Sequence, residues 1–282
     1  SYLKLMIKQL FIFVLTLSCS VALGQQITRE KFNDSLQDLP SFSSYQDNYF
    51  VTGLPTNRDI DRNSADAKFQ VSFKQIISRD LLPFESYLYL TYTQKAFWNI
   101  YKESLPFRDV NFNPSIAIGK AIFNKDNQLR GIASLEFEHE SNGRDSISSR
   151  SWNRITAGYT THLFKNTTAR VELWLPFGYQ ESNEDLLDYV GVGEVHINHE
   201  IKHDKLTLNL MLRKGLGFDG RGVVRSRLYY NPFKTSKLNQ YIMLEWYLGQ
   251  AESLLDYQQS SSIIRLGYVI KSTEFNWFRS KK

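Results

Sequence analysis

The chain alternates apolar and polar residues with a period of two over most of its length. From about residue 48 onward, short alternating segments are separated by polar, turn-forming stretches, and no amphipathic helical pattern of useful length interrupts them. A period of two is typical of half-buried β-strands. The sequence therefore predicts an all-β fold with twelve strands, at residues 48–54, 67–77, 84–98, 113–124, 131–141, 151–164, 168–178, 188–203, 205–215, 222–232, 239–250 and 261–271.

Each segment has one apolar face and one polar face. In the second segment the two faces are Phe69, Val71 and Phe73 against Lys68, Gln70, Ser72 and Lys74. Alternation alone does not say which face lies inside a closed sheet. The even strand count, an N-terminal export signal, and 16 tyrosines with 19 phenylalanines favour an outer-membrane barrel that is apolar outside and polar inside. A closed barrel also satisfies every backbone hydrogen bond within lipid. We therefore predict a twelve-stranded antiparallel transmembrane β-barrel.

The first 24 residues have the pattern of a secretory signal peptide. Lys4 and Lys8 precede an apolar run at residues 10–17, and a small-residue cleavage site follows at Gly24. Attachment of lipid at Cys19 is an alternative interpretation. We expect residues 25–47 to form a short N-terminal periplasmic arm and residues 48–282 to form a single transmembrane barrel domain.

Composition excludes several classes of function. Cys19 is the only cysteine, so the mature chain has neither a disulfide nor a thiolate site. The net charge of +5 is modest, and the basic residues are scattered along the strands. Because nucleic-acid binders concentrate their basic residues in patches or modules, nucleic acid is not an expected partner.

The connection between the fifth and sixth strands is flanked by an unusual set of polar residues. His139, Ser141 and Asn153 all fall on the apolar, lipid-facing side near the outer rim, because side chains alternate along a strand. Polar groups there are costly unless they bond one another or serve a substrate. The three residue types fit a nucleophile (Ser141), a base (His139) and a residue that orients the imidazole (Asn153). The competing interpretation is three ordinary polar residues in the headgroup zone.

Several motifs resemble those of the outer-membrane phospholipase A family, the bacterial detergent-resistant phospholipase A1. They are "HESNGR" followed by "SSRSWNR", with "KFQVSF", "YTQKAFW" and "SLPFRD" upstream in the family's order. The resemblance covers most of the chain from about Asp47. It implies a twelve-stranded barrel in the bacterial outer membrane that hydrolyses acyl esters of membrane phospholipids (A1 or A2 specificity), requires Ca²⁺ and is active as a homodimer. Its active site would face the outer leaflet.

The resemblance also implies roles for individual residues. His139, Ser141 and Asn153 become the catalytic triad, and the backbone N–H of Gly143 becomes an oxyanion donor. Calcium would be held by the Arg144 carbonyl and the Ser149 hydroxyl, with Ser104 of the partner subunit. The alternative interpretation is that Ser104 and Ser149 are ordinary loop serines. The family's aspartate after this motif is replaced by Ser146 with Asp145 beside it, which leaves a secondary calcium site open.

Gln94 places a primary amide on the lipid-facing side of the third strand, together with Leu88, Leu90 and Tyr92. A symmetric partner would satisfy this amide, and the family uses a glutamine of this motif at its dimer interface. The alternative is an amide that reaches the headgroup zone.

The sequence leaves two other functions open: a catalytically silent pore or scaffold, and a lipid A acyltransferase or deacylase.

Overall fold

The computed structural model describes residues 27–60, 64–233 and 239–272, which form one antiparallel sheet. The predicted signal peptide lies outside the described residues. The strands are β1 (Phe42–Ser44), β2 (Asn48–Pro55), β3 (Asp66–Leu82), β4 (Ser86–Trp98), β5 (Phe107–Phe123), β6 (Leu129–Ser141), β7 (Ser151–Phe164), β8 (Thr167–Phe177), β9 (Gly193–Lys202), β10 (Leu206–Lys214), β11 (Gly222–Tyr230), β12 (Gln240–Gly249) and β13 (Ser261–Ile270).

Strands β2 to β13 close into a barrel. Each strand pairs with the next along the chain, and β2 closes the circle because Val51 lies opposite both Lys68 of β3 and Gly267 of β13. The short β1 pairs with the far part of β3. The predicted twelve-stranded antiparallel barrel is confirmed. Among the described residues, no helix is long and apolar enough to cross a membrane.

The two faces of the barrel differ as the alternation predicts. Outward residues such as Leu135 and Phe137 are half exposed, whereas Lys68, Glu245 and Arg265 are buried on the inside. The buried charges are paired: Arg265 Nη2 lies 2.8 Å from Asp66 Oδ2, and Arg265 Nη1 lies 2.6 Å from Glu252 Oε1. Pairing offsets the cost of removing these charges from water, so the polar lumen is compatible with a stable fold.

Helix α1 (Arg29–Asp38), within the expected N-terminal arm, packs at one end of the barrel. The Thr28 hydroxyl caps it by accepting a hydrogen bond from the Lys31 amide. Phe32 and Leu36, one helical turn apart, are buried against inward-facing residues that include Tyr87. We call this the turn end, because the connections 83–85, 124–128, 165–166 and 203–205 there are short. The sequence did not predict this helix.

Longer connections cover the opposite end, which we call the loop end. The β8–β9 connection contains α2 (Gln180–Asn183) and α3 (Leu187–Val190), so the strand predicted from residue 188 begins only at Gly193. Apolar residues of this connection and of residues 250–260 pack on inward-facing Trp152 and Trp174. A cavity of about 250 Å³ remains in the polar lumen between the two ends.

Strand β5 begins at Phe107, six residues earlier than predicted. The extension projects toward the loop end, where Asn111 Oδ1 and Asp109 Oδ2 accept hydrogen bonds from the amides of Leu254 and Leu255 at 3.1 and 3.0 Å. The loop that follows β12 therefore stabilises the added residues of β5, a contact that local sequence does not reveal.

Candidate active site

The three residues of the predicted triad lie near one another because β6 and β7 are in register at the loop end. His139 lies directly opposite Asn153, and Ser141 lies opposite Ser151 at the end of the same ladder. His139, Ser141 and Asn153 are half-buried on the face that also carries exposed Phe137 and Ile155. All three side chains therefore occupy the apolar outer wall, where the alternation predicts them.

His139 and Asn153 are joined by a hydrogen bond of 2.9 Å between Nδ1 and Oδ1. The carboxamide oxygen can only accept, so the imidazole hydrogen belongs on Nδ1. This tautomer leaves Nε2 with a free lone pair. The hydrogen bond to Asn153 thus orients the ring, and Nε2 can accept a proton.

Ser141 lies two residues beyond His139 on the same face of β6. Alternate residues of a strand are roughly 7 Å apart, within the combined reach of the two side chains. No hydrogen bond joins the Ser141 hydroxyl to His139 within the described residues. Catalytic hydrogen bonds often tighten only when substrate binds. The structure brings His139 and Asn153 together and places Ser141, the predicted nucleophile, beside them.

Charged residues on the inner face of the same strands fix this register. Arg154 of β7 donates to Glu138 at 3.0 and 2.7 Å and lies 3.3 Å from Glu140 Oε2. Trp152 Nε1 donates to the same Glu140 oxygen at 3.0 Å, and the Arg154 guanidinium stacks on its ring. These cross-strand contacts lie immediately behind the His139–Asn153 pair and hold β6 and β7 together there.

Asn142, which the sequence analysis did not single out, organises the loop after Ser141. Its buried side chain donates to the Ser148 carbonyl at 2.9 Å and accepts from the Arg150 and Arg144 amides at 2.9 and 3.3 Å. One carboxamide thereby closes residues 142–150 into a fixed loop. An asparagine at the start of a loop was the available signal, since asparagine commonly bonds nearby backbone groups.

Two glycines lie beside the triad. Gly143 has a φ of +63°, and a Cβ there would lie 3.1 Å from the Phe112 ring. Its amide makes no hydrogen bond within the described part of the chain, so it can donate to a ligand. Gly178, which the sequence analysis missed, has a φ of +65° and lies behind Asn153, where a Cβ would come within 2.9 Å of Nδ2.

The residues expected to hold calcium lie on two neighbouring connections at the loop end. Arg144 and Ser149 belong to the loop closed by Asn142, where Ser149 follows a single 3₁₀ turn (Ser146–Ser148). Ser104 is exposed in the β4–β5 connection and has a φ of +63°. Ser104 makes no hydrogen bond to Arg144 or Ser149 of its own chain among the described residues.

Gln94 of β4 and Ser141 of β6 lie in one row of cross-strand neighbours, with Phe112 of β5 between them. The register pairs Gln94 with Phe112 of β5 and Phe112 with Ser141 of β6. Strands are roughly 4.8 Å apart, so Gln94 and Ser141 are about 10 Å apart at the same height on the outer wall. The Tyr92 hydroxyl donates to Gln94 Oε1 at 3.0 Å, and the carboxamide NH₂ donates no hydrogen bond within the described residues.

Comparison with known sequences gives one family. The profile of the phospholipase A1 family matches residues 28–270. Phospholipase A1 of Salmonella typhimurium is 30% identical over 213 residues, which cover 73% of this chain and 69% of that protein.

Solved structures show the same barrel. The outer membrane phospholipase of Salmonella typhi, solved as a dimer with bound calcium, superposes with a TM-score of 0.74 at 24% identity, over 86% of this chain and 97% of that one. Outer membrane phospholipase A of Escherichia coli with an active-site asparagine replaced by alanine gives 0.73 at 25% identity, over 86% and 97%.

Proposed function

The chain belongs to the phospholipase A1 family, and we propose that it cleaves phospholipid acyl esters with Ser141, His139 and Asn153 as its catalytic triad. Membership confirms the family resemblance. The twelve-stranded barrel with its apolar outer wall supports an outer-membrane location. The observation that supports the triad is the 2.9 Å His139–Asn153 hydrogen bond on the lipid-facing wall, with Ser141 beside it. A catalytic site on this outer wall would meet membrane lipid as its natural substrate.

The first half of the reaction forms an acyl-enzyme. Ser141 Oγ attacks the ester carbonyl carbon while His139 Nε2 takes the hydroxyl proton. As the tetrahedral species collapses, the carbon–oxygen bond to the lipid alcohol breaks and the imidazolium gives its proton to that oxygen. Lysophospholipid leaves, and the acyl chain remains esterified to Ser141.

Water completes the cycle by the same proton route. His139 Nε2 removes a proton from water, the resulting nucleophile attacks the acyl-enzyme, and the proton returns to Ser141 Oγ as the fatty acid departs. Asn153 holds the imidazole throughout. Because a neutral carboxamide stabilises the imidazolium less than a carboxylate would, its contribution is chiefly orientation.

The oxyanion of each tetrahedral species needs donors near Ser141. The Gly143 amide, two residues along the chain, has no partner within the described residues. Gly143 has a positive φ, and an added Cβ would lie 3.1 Å from the Phe112 ring, so glycine suits this position. We assign the Gly143 amide as one oxyanion donor.

We also propose a calcium site formed by the Arg144 carbonyl, the Ser149 hydroxyl and Ser104 of the partner subunit. Carbonyl and hydroxyl oxygens are hard ligands of the kind calcium takes. The Arg144 guanidinium donates to the Arg108 carbonyl at 2.6 Å, so its charge is directed toward β5. Calcium bound there would supply Lewis-acid stabilisation of the developing oxyanion.

The charges around this loop predict that calcium binds weakly. None of the three residues offers a carboxylate, and the Arg150 guanidinium donates to the Ser149 carbonyl at 2.7 Å. A nearby positive charge opposes a cation. We therefore expect an affinity at the weak end for protein calcium sites, roughly 10⁻⁴ to 10⁻³ M.

The same arrangement supports a homodimer. Gln94 lies on the row of Ser141, and its NH₂ donates no hydrogen bond within the described residues. A second subunit would provide both the partner for this amide and the third calcium ligand. A1, A2 or lysophospholipase specificity remains part of the proposal. The pore alternative is disfavoured because apolar clusters pack at both ends of the lumen.

The test is fatty-acid release from phospholipid in detergent micelles, measured with calcium and with chelator. We expect calcium-dependent release by the parent and almost none by Ser141→Ala. Ser226→Ala is the matched control, because Ser226 belongs to the outward-facing set of β11, on a distant part of the wall. Equal release by the Ser141 variant and the parent would refute the triad.

A further inference from the structure

The backbone ladder between β5 and β6 is interrupted opposite His139. Phe112 pairs with Ser141 and Ser115 pairs with Glu138 in one continuous register, but residues 113 and 114 have no partner on β6. That register would place Pro114 opposite His139. On its other side β5 remains fully paired, since Thr93 lies opposite Asn113 and Tyr92 opposite Pro114. The interruption therefore concerns only the side facing the candidate base.

Proline explains the gap. Pro114 has no backbone N–H, so it cannot donate the ladder hydrogen bond that the His139 carbonyl would otherwise accept. A carbonyl left without a donor in a membrane wall is costly and lets the backbone move. The side chain of the preceding residue replaces the missing donor: Asn113 Nδ2 donates to the His139 carbonyl at 2.9 Å.

We infer that Asn113 is a positioning residue that fixes the backbone of the catalytic base. The inference deepens the proposed function, because it takes His139 to be the base. His139 is then held from both neighbouring strands, its ring by Asn153 of β7 and its main chain by Asn113 of β5. Asn113 faces the lumen, where it lines the internal cavity. It acts on a reaction that takes place on the opposite side of the wall.

The proline supplies a specific test, because removing it restores the missing donor. Asn113→Ala should lower kcat about tenfold, the order expected for one lost hydrogen bond at a reacting group, with KM unchanged. In the double variant Asn113→Ala/Pro114→Ala, the new amide at position 114 can donate to the His139 carbonyl, and kcat should return to within about twofold of the parent. Pro114→Ala alone should stay near the parent value.

Controls separate positioning from general stability. Asn209→Ala makes the same substitution at another lumen asparagine that lines the cavity, and its kcat should equal that of the parent. Heat-modifiable gel mobility verifies that every variant forms the barrel. An Asn113→Ala variant with unchanged kcat would overturn the inference, and so would a double variant no more active than Asn113→Ala.

A second readout separates failure of the inference from failure of the triad. The rate at which a fluorophosphonate labels the protein reports activation of the serine without phospholipid turnover. We expect labelling to slow in Asn113→Ala, recover in the double variant and vanish in Ser141→Ala. Labelling that persists in Ser141→Ala would overturn the triad and the inference together. Labelling lost in Ser141→Ala but unaffected by Asn113→Ala would overturn the inference alone.

Discussion

The two faces of β6 and β7 use polar residues in opposite ways. On the lumen face, Glu138, Glu140 and Arg154 bond one another in a charge cluster that leaves little hydrogen-bonding capacity unused. On the outer face, His139 uses one ring nitrogen on Asn153 and keeps the other free. The satisfied face stabilises the wall. On the outer face polar groups are scarce and costly, and the His139 nitrogen left without a partner there can take part in a reaction.

This contrast predicts that substitutions on the two faces separate activity from stability. On the lumen face of β6 and β7, substitution of Glu138, Glu140 or Arg154 should leave a charge unpaired and weaken the barrel, because Arg154 pairs with both carboxylates. On the outer face of the same strands, substitution of His139, Ser141 or Asn153 should lower activity and leave the barrel intact, since these side chains project away from the packed interior.

The largest expected effect is on the outer face. Ser141→Ala should lower hydrolysis about 10⁴-fold, the scale typical of triad deletions, with unchanged barrel mobility on gels. More than a few per cent of residual activity would exclude Ser141 as the nucleophile. A variant that also failed to form the barrel would break the separation between the two faces.

The matching lumen substitution is Arg154→Met. It leaves Glu138 and Glu140 without their cationic partner, which should cost roughly 3 to 5 kcal/mol of unfolding free energy. Urea unfolding of the refolded barrel measures this loss. Arg154→Met combined with Glu138→Gln should be less destabilising, because one of the unpaired charges is removed as well. Equal stability of Arg154→Met and the parent would refute the structural role of the cluster.

Asn153 lies on the outer face and is expected to act by orienting the His139 ring through its hydrogen bond to Nδ1. Asn153→Ala should reduce activity about a hundredfold, within the range of general-base contributions. Asn153→Asp should retain more activity than the alanine variant, since its carboxylate also accepts from Nδ1. An alanine variant as active as the parent would remove Asn153 from the triad.

The smallest expected effects concern assembly. Gln94→Ala should weaken the dimer about three- to tenfold, the worth of one hydrogen bond in a membrane.

Ser104→Ala should raise the calcium concentration needed for activity. If calcium is shared between subunits, metal binding and dimerisation strengthen each other by the same factor. Calcium titrations of activity and of cross-linking on the same samples test this linkage, and titration curves unaffected by Ser104→Ala would refute the shared site.

Much of the architecture could be predicted from sequence because it follows from a local period of two. Alternation places Leu135, Phe137 and His139 on one face and Glu138 on the other without any knowledge of tertiary contacts. The family motifs supplied the roles of the site residues. Strand ends could be predicted wherever turn residues interrupt the alternation.

The features that were missed depend on contacts distant in sequence. Helix α1 has only Phe32 and Leu36 as buried residues, and packing in the barrel end stabilises it more than its own sequence pattern does. The early start of β5 depends on amides of the β12–β13 loop. The contact of Asn113 with His139 depends on strand register and on a single missing N–H at Pro114.

The central claim is that a serine on the lipid-facing wall is activated by the histidine beside it. Its most direct test is to label the protein with a long-chain fluorophosphonate in phospholipid–detergent micelles with calcium and to map the modified peptide by mass spectrometry. The account predicts one adduct, on Ser141, and slow or absent labelling of His139→Ala. An adduct on another residue, or equally fast labelling without the imidazole, would contradict it.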